Sequence, residues 1–271
     1  MDRRPIGVFD SGLGGLTAVR ELQRALPNES IVYFGDTGRV PYGNRGTGTL
    51  LEYAAQDCRF LLKQDVKAII AACGTVSSVA ASVLDRLPVP ATGVVAHTAA
   101  AAAKATKNGR IGVIATAATV SSGAFERALR GHGDFTVISQ ACPLFVSLVE
   151  AGWVDGEDEV TRLVARRYLT PLKEAGIDTL ILGCTHFPLL APIIDRVMEG
   201  KVALIDAGRE TVRVCAAQLR EQGLLTDRET PGSCRFFVSD RPEGFVRVAD
   251  MFLGRPVDDD IARVPMDELT G

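Results

Sequence analysis

The stretch DTLILGCTH (residues 178–186) is a short apolar run that ends in a small residue, a cysteine and a threonine. A second stretch, KAIIAACGT (residues 67–75), has a similar arrangement earlier in the chain. Short apolar runs of this kind are typical of buried strands in parallel sheets, and such sheets bind ligands at the carboxyl ends of their strands. The sequence therefore predicts that Cys73 and Cys184 are matched thiols at two strand ends and share one reaction centre.

Strand-like and helical patterns alternate along the rest of the chain. Strand-like runs lie at 6–9, 30–34, 68–72, 89–94, 110–115, 136–139, 178–182 and 202–205. Helical patterns lie between them, for example over about 16–26, 48–64 and 157–174, and one more runs from the first cysteine to about residue 87. This alternation predicts an α/β fold with mostly parallel sheets covered by helices.

The second half of this pattern resembles the first. The run RIGVIA (residues 110–115) echoes PIGVF (residues 5–9), and the separation of Gly7 from Gly112 is nearly that between the two cysteines. A shared period favours two pseudo-symmetric α/β domains, each contributing one cysteine to an active site at the domain interface. The alternative is the ordinary self-similarity of α/β chains.

We place the domain boundaries at the ends of this repeat. The first domain comprises residues 1–97 and 207–271, and the second comprises residues 98–206. The returning segment is predicted to contain a strand at 235–238 and a helix at 242–253. From Asp258 onward, where three aspartates occur in a row, we expect an exposed and loosely held end.

Composition and charge exclude several classes of protein. The chain has 271 residues, a net charge of −3, 46% hydrophobic residues and 23% charged residues, as in an ordinary globular protein. Because it has no basic field and no long uninterrupted apolar stretch, we predict no nucleic-acid partner and no membrane span. The N-terminus lacks the apolar segment of a signal peptide, which predicts a cytoplasmic protein.

Six cysteines raise the question of disulfides: Cys58, Cys73, Cys142, Cys184, Cys215 and Cys234. Because the chain is large and has no secretory leader, we interpret them as reduced thiols. A structural disulfide between Cys73 and Cys184 stays open as an alternative. The spacing of cysteines and histidines matches no metal site, and we predict none.

Two thiols across a small cavity suit the inversion of a carbon stereocentre. Inversion by proton transfer needs a base on one face of the carbon and an acid on the other, and a thiolate and a thiol fill these roles in both directions. A free thiol has a pKa of about 8.5, so one of the two needs stabilisation as the thiolate. His186, two residues after Cys184, is placed to exchange protons with that thiol or the substrate.

Other segments supply groups that suit a small acid. The loop DSGLGG (residues 10–15) can bring backbone N–H groups to an anion, although it lacks the GxGxxG spacing of dinucleotide sites, and Asp10 suits an ammonium group. Residues 41–44 form a turn that presents backbone donors. Thr116 and Thr119 can offer hydroxyls to a carboxylate. Taken singly, each of these features is also typical of a helix cap or a turn.

Together these motifs resemble the glutamate racemases of the aspartate/glutamate racemase superfamily over nearly the whole chain. The matching segments are FDSGLGGL (9–16), DT (36–37), RVPYGN (39–44), AC (72–73), TV (119–120), SG (122–123), QACPLF (140–145), LGCTHFPLL (182–190) and LID (204–206). The second cysteine motif is highly specific. The DSGxGG loop and the PYG turn separate glutamate racemases from aspartate racemases.

The resemblance implies an activity and a set of site residues. The activity is cofactor-independent racemisation of L- and D-glutamate, which supplies D-glutamate for peptidoglycan synthesis, and the enzyme is expected to be a homodimer. Cys73 and Cys184 act as acid and base on the D- and L-glutamate sides, Asp10 and His186 assist proton transfer, and Glu150 supports His186. The substrate-binding residues are Ser11, Tyr42, Gly43, Gly74, Thr75, Thr116, Thr119 and Thr185.

One position departs from the family pattern. Members usually have asparagine after the first cysteine, whereas this chain has Gly74. The change removes a side-chain amide that is expected to touch the substrate, and a lost hydrogen bond to a charged group costs about 1.5–3 kcal/mol. We therefore expect weaker or altered substrate binding, unless water or another side chain replaces the amide.

Two other functions stay open. Gly74 motivates a racemase or isomerase for another small acid, such as aspartate. A binding or regulatory protein that has kept the fold without the chemistry is less favoured, because both cysteines, Asp10 and His186 are intact.

Overall fold

The computed structural model describes residues 1–257 and 261–270. The strands are β1 (Ile6–Asp10), β2 (Ile31–Gly35), β3 (Ala68–Ala71), β4 (Ala91–Gly93), β5 (Arg110–Ala115), β6 (Thr136–Ala141), β7 (Thr179–Leu182), β8 (Ala203–Asp206), β9 (Cys234–Val238) and β10 (Ile261–Arg263). They form two sheets in which every paired strand is parallel. The predicted α/β class with parallel sheets is confirmed.

Helices connect the strands and cover the sheets. They are α1 (Leu16–Ala25), α2 (Thr47–Lys63), α3 (Gly74–Val79), α4 (Ala81–Leu84), α5 (Val94–Ala105), α6 (Ala117–Ser122), α7 (Ala124–Arg130), α8 (Pro143–Glu150), α9 (Glu159–Glu174), α10 (Ala191–Val197), α11 (Ala207–Glu221), α12 (Pro242–Leu253) and α13 (Met266–Thr270). Short 3-10 turns lie at Tyr42–Asn44 and Phe187–Leu190. Within residues 1–257 and 261–270, no helix is both long enough and apolar enough to cross a membrane.

The two sheets share one strand order. The first sheet runs β10-β9-β2-β1-β3-β4 and the second runs β6-β5-β7-β8, so the order β2-β1-β3-β4 recurs as β6-β5-β7-β8. The registers also correspond, because Ile6 pairs with Ala68 in the first sheet and Ile111 pairs with Thr179 in the second. In the first sheet β2 and β3 lie on opposite sides of β1, and in the second sheet β6 and β7 lie on opposite sides of β5. Such a reversal of strand order is a switch point, where the loops at the carboxyl ends of the strands diverge and ligands commonly bind.

Burial explains why the central strands are apolar. All four residues of β3 and all four of β7 are buried, as expected for strands covered on both faces. In α1 the buried residues include Leu16, Val19 and Leu22, which repeat every three residues and face the core. Helices α5 and α11 pack against each other. Helix α11 contacts β4 of the first sheet and β8 of the second, while α5 contacts β7 and β8 and the helix α3 that follows β3. The two sheets are therefore joined through these helices.

The end of the chain differs from the prediction. We expected the chain from Asp258 onward to be exposed and loosely held, and positions 258–260 lie outside the described residues. Beyond them most residues are exposed, as expected, but the expectation of a loosely held end is wrong. β10 pairs with β9, α13 contacts α2, and Val264 and Leu269 are only 3% and 2% exposed. These apolar side chains extend the core of the first sheet, which the neighbouring run of aspartates obscured in the sequence.

Candidate active site

A cavity of about 400 Å³ lies between the switch points of the two sheets. The loops after β1 and β3 reach it from the first sheet, and the loops after β5 and β7 reach it from the second. Most of the site residues predicted from the sequence line it: Ser11, Tyr42, Gly43, Cys73, Gly74, Thr75, Thr116, Glu150, Cys184, Thr185 and His186. Asp10 and Thr119 lie behind this lining.

Cys73 lies at the end of β3 and immediately precedes α3. Its side chain is 5% exposed, and its thiol lies within hydrogen-bond distance of the Ser11 hydroxyl, with the two atoms 3.5 Å apart. Burial, followed by the negative charge of Asp10, raises the pKa of the Cys73 thiol to about 12. Cys73 is therefore set to hold its proton at neutral pH, as an acid.

Cys184 follows β7 and has an ionisable neighbour. Its Sγ lies 3.8 Å from Nδ1 of His186, whose Nε2 lies 3.2 Å from Oε1 of Glu150. Burial by itself lowers the pKa of His186, but the hydrogen bonds to Cys184 and Glu150 outweigh burial and raise that pKa to about 10. A protonated imidazole therefore stands beside the second thiol, where it can exchange a proton with sulfur.

Asp10 connects the two halves from beneath the cavity. It ends β1 and is fully buried, and its carboxylate accepts the Gly12 N–H at 3.0 Å. It also accepts the Thr185 hydroxyl at 3.4 Å, and that hydroxyl lies 3.5 Å from Nδ1 of His186. Burial raises the pKa of Asp10, opposed chiefly by the charge of His186. A continuous polar chain thus runs from the first strand to the second thiol.

The glycine-rich loop is needed for this close approach. A Cβ atom on Gly14 would collide with the Thr185 hydroxyl and would lie 2.6 Å from Nδ1 of His186. The loop therefore packs the first half closely against the segment of the second half that carries Thr185 and His186.

Three threonine hydroxyls form a short row at the interface. Thr75 and Thr116 come from different halves, and their hydroxyl oxygens lie 3.0 Å apart. The Thr116 hydroxyl also donates to that of Thr119 at 3.0 Å. Thr119, predicted to bind substrate, is not among the residues that line the cavity, and it contacts Thr116 from behind the lining.

The hydroxyl of Tyr42 belongs to a buried polar cluster that the sequence did not reveal. It hydrogen-bonds to Asp36 and Asp57, both fully buried. Arg39 pairs with Asp36 at 2.5 Å and with Asp57 at 2.8 Å, and it also bonds to Gln56. Burial, together with the charge of Asp36, raises the pKa of Asp57. The cluster fixes the turn at Tyr42–Asn44, whose residues line the cavity.

Helix α8 supplies a wall of the cavity that sequence reasoning missed. Pro143, Leu144, Val146 and Ser147 line it, as do Val40, Pro41 and Asn44 from the first half. The family-like segment QACPLF (140–145) was the signal that could have identified this wall.

Cys73 and Cys184 are both free thiols, which argues against a structural disulfide between them. Each therefore has a sulfur atom available for proton transfer.

Comparison with known proteins identifies the family. The model of the Asp/Glu/hydantoin racemase family matches residues 19–215. A glutamate racemase of Geobacter metallireducens is 45% identical over 261 residues, covering 96% of each chain, and one of Neisseria meningitidis serogroup B is 49% identical over 260 residues, covering 94% of this chain and 95% of the relative.

Solved structures agree with this result. Glutamate racemase from Francisella tularensis in complex with D-glutamate has a TM-score of 0.90 at 39% identity, covering 98% of this chain and 99% of that one. Glutamate racemase from Thermus thermophilus in complex with β-chloro-D-alanine has a TM-score of 0.89 at 43% identity, covering 99% and 100%. An aspartate racemase from Picrophilus torridus, at 18% identity and a TM-score of 0.58, shares the fold alone. The chain belongs to the Asp/Glu/hydantoin racemase family, as a relative of the glutamate racemases.

Proposed function

We propose that this protein interconverts L- and D-glutamate by a two-cysteine, two-base proton transfer at the α-carbon, without a cofactor. The observation that carries the proposal is the pair of buried thiols, Cys73 and Cys184, which reach one cavity from two different sheets. Groups on two sides of a bound α-carbon are what inversion of that carbon requires.

The reaction conserves atoms and electrons. Starting from L-glutamate, the Cys184 thiolate takes the α-proton, and the electron pair of the C–H bond stays on the carbon as a carbanion. The Cys73 thiol then gives its proton to the opposite face, which yields D-glutamate, a Cys184 thiol and a Cys73 thiolate. The reverse reaction exchanges the two roles.

The surroundings of the thiols support this direction of proton flow. Cys73, whose pKa is raised to about 12, is a protonated acid at neutral pH. His186 lies beside Cys184 and can accept or return its proton, with Glu150 on the other imidazole nitrogen. His186 and Glu150 thus prepare the second thiol for the next turnover.

The cavity binds carboxylates through neutral donors. Among the described residues that line it there is no lysine or arginine, while the hydroxyls of Ser11, Thr75, Thr116 and Thr185 are present. Hydroxyls and backbone N–H groups can hold a carboxylate by charge-assisted hydrogen bonds. Glutamate is proposed as the substrate because the close relatives are named glutamate racemases, one of them solved with D-glutamate.

Turnover of the purified protein with both enantiomers of glutamate and of aspartate tests the substrate. We expect circular dichroism to record racemisation of glutamate from either enantiomer, with aspartate far slower. If aspartate is turned over faster than glutamate, aspartate is the better substrate and this part of the proposal is wrong. A matched control for the thiols is Cys58→Ala, because Cys58 is buried in the core of the first sheet, away from the cavity.

The biological setting is carried by the resemblance. The proposal includes supply of D-glutamate for peptidoglycan synthesis, a cytoplasmic location and a homodimer. Depletion of the protein should make growth depend on added D-glutamate, and light scattering should give twice the 28.9 kDa chain mass. Growth without D-glutamate after depletion would contradict the role in D-glutamate supply, and a monomer mass would contradict the homodimer.

A further inference from the structure

Gly74 lies where the two halves come close together beside the cavity. It follows Cys73 directly and begins α3, while Gly183 directly precedes Cys184. A Cβ atom added to Gly74 would lie less than 3.0 Å from the carbonyl oxygen of Gly183, a separation that real Cβ atoms essentially never show, and 3.9 Å from the Cα atom of Cys184. The contact between these glycines therefore joins the backbones that carry the two thiols.

The obstacle to a side chain at this position is backbone, which cannot rotate aside. The Gly183 N–H donates to the carbonyl of Ile114 at 2.8 Å, in the central strand of the second sheet. A Cβ atom on Gly183 itself would lie 3.0 Å from that carbonyl and 3.0 Å from the ring of Phe125, so its surroundings are tightly packed. A side chain at position 74 therefore requires this backbone contact to open by about 1 Å, to the 3.0–3.4 Å of tight Cβ contacts.

Neighbouring contacts close the halves at the same place. The Thr75 hydroxyl lies 3.0 Å from that of Thr116, and a Cβ atom on Gly43 would lie 3.2 Å from Cβ of Thr116. Positions 43, 74 and 75 of the first half thus meet positions 116 and 183 of the second around the cavity. The separation of the halves is fixed along this seam.

We propose that Gly74 is a positioning residue that sets the closed separation of the two halves, and with it the spacing of Cys73 and Cys184 across the substrate. This inference rests on the two-cysteine reaction proposed above. The absence of a Cβ atom at position 74 permits the close approach of the Gly183 carbonyl. Misplacement of a reacting group by about 1 Å can cost about 10²-fold in rate. A shift of that size at position 74 should therefore slow racemisation.

Gly74→Ala and Gly74→Asn test the proposal. We expect kcat for racemisation to fall by about 10- to 100-fold, with a smaller change in KM. Exchange of the α-hydrogen for deuterium with retention should increase relative to inversion, because one thiol still reaches the carbon while the other stands too far away. Gly48→Ala is the matched control, since a Cβ atom there meets nothing within 4 Å, and it should keep the wild-type ratio.

The exchange ratio separates positioning from a merely structural role. An unchanged kcat and an unchanged ratio of exchange to inversion in Gly74→Ala would overturn the proposal. Loss of the folded state in both variants, seen by circular dichroism, would also overturn it, by making Gly74 a structural residue.

A second measurement does not depend on activity. Crystal structures of the wild type and Gly74→Ala should show the Sγ atoms of Cys73 and Cys184 about 1 Å further apart in the variant, and an equal separation would contradict the proposal. If the wild type racemises no amino acid, the proposed function fails, while this separation still decides whether Gly74 sets the closure.

Discussion

At the scale of single residues, the two thiols have unlike surroundings. Cys73 lies against the hydroxyl of Ser11, and burial raises its pKa to about 12. Cys184 lies against His186, which is itself hydrogen-bonded to Glu150. The second half therefore places an ionisable imidazole and a carboxylate beside its thiol, while the surroundings of the thiol in the first half favour its protonated form. The matched sequence motifs did not reveal this difference, because it depends on side chains that meet only in the folded protein.

The raised pKa of His186 links stability to pH. Burial lowers this pKa, but hydrogen bonds to Cys184 and Glu150 raise it on balance to about 10, against about 6.5 in an unfolded chain. Because the folded state binds the proton more tightly, the stabilisation is complete below about pH 6.5 and is lost as the pH rises through about 10. We expect the thermal midpoint to fall over that window more steeply in the wild type than in His186→Asn. Equal slopes would contradict this assignment.

Glu150 offers a second test at this scale. Removing its charge with Glu150→Gln should lower the pKa of His186, since the carboxylate favours the protonated imidazole. Because the Glu150 side chain is 45% exposed, solvent screens its interaction with His186. The racemisation rate of the variant at neutral pH should therefore fall by about fivefold or less. The alkaline limb of the pH–rate profile should move to lower pH. Glu157→Gln, at a surface ion pair with Arg196, should leave the profile unchanged.

At the scale of elements, the strands were predictable and the helix boundaries less so. Buried strands such as β3 and β7 show as apolar runs because both of their faces are covered. The helix expected to run to about residue 87 is instead two short helices, α3 and α4, separated at Ala80. The strand expected at 89–94 is shortened to β4, because α5 begins at Val94. Local sequence patterns do not record where tertiary packing ends an element.

The packed end of the chain is an element that the sequence obscured. Leu269 of α13 is 2% exposed and belongs to the core of the first sheet. Leu269→Ala should lower the free energy of unfolding by about 2–4 kcal/mol through loss of buried surface and an unfilled cavity. Urea unfolding measures this, with the neighbouring exposed Glu268→Ala as control, expected to change stability by about 0.5 kcal/mol or less. Equally small changes in stability for both variants would indicate that this segment is loosely held, as the sequence predicted.

The cluster around Arg39 connects β2, the turn at Tyr42–Asn44 and α2. Arg39→Met would leave the Asp36 carboxylate buried without its cation and would remove the donor to Asp57, and the free energy of unfolding should fall by about 3–5 kcal/mol. Asp57→Asn should cost much less, about 1 kcal/mol, because burial and Asp36 raise the pKa of Asp57 and favour its neutral form. Urea unfolding of both variants compares the two losses. A larger loss for Asp57→Asn than for Arg39→Met would contradict this account.

At the scale of the whole molecule, the repeat in the sequence predicted much of the architecture. The shared spacing of the glycine and cysteine runs corresponds to two sheets with one strand order and equivalent registers. The meeting of Thr75 with Thr116, and of Gly74 with Gly183, was not predictable. Such contacts join residues that are distant in sequence, and one chain alone carries no signal of their separation. The sequence indicated only that Gly74 lacks a side-chain amide. The structure also shows that the Gly183 carbonyl of the second half lies close to this position.

The central claim is that one thiol serves each face of the α-carbon, and the most direct measurement is α-hydrogen exchange in deuterated water, started separately from L- and D-glutamate. Cys73→Ser and Cys184→Ser should each lose racemisation by at least about 10²-fold. Cys184→Ser should still exchange D-glutamate, and Cys73→Ser should still exchange L-glutamate, while Cys58→Ala behaves as wild type. Wild-type racemisation that neither serine substitution slows, or one thiol that exchanges both enantiomers alone, would contradict the account.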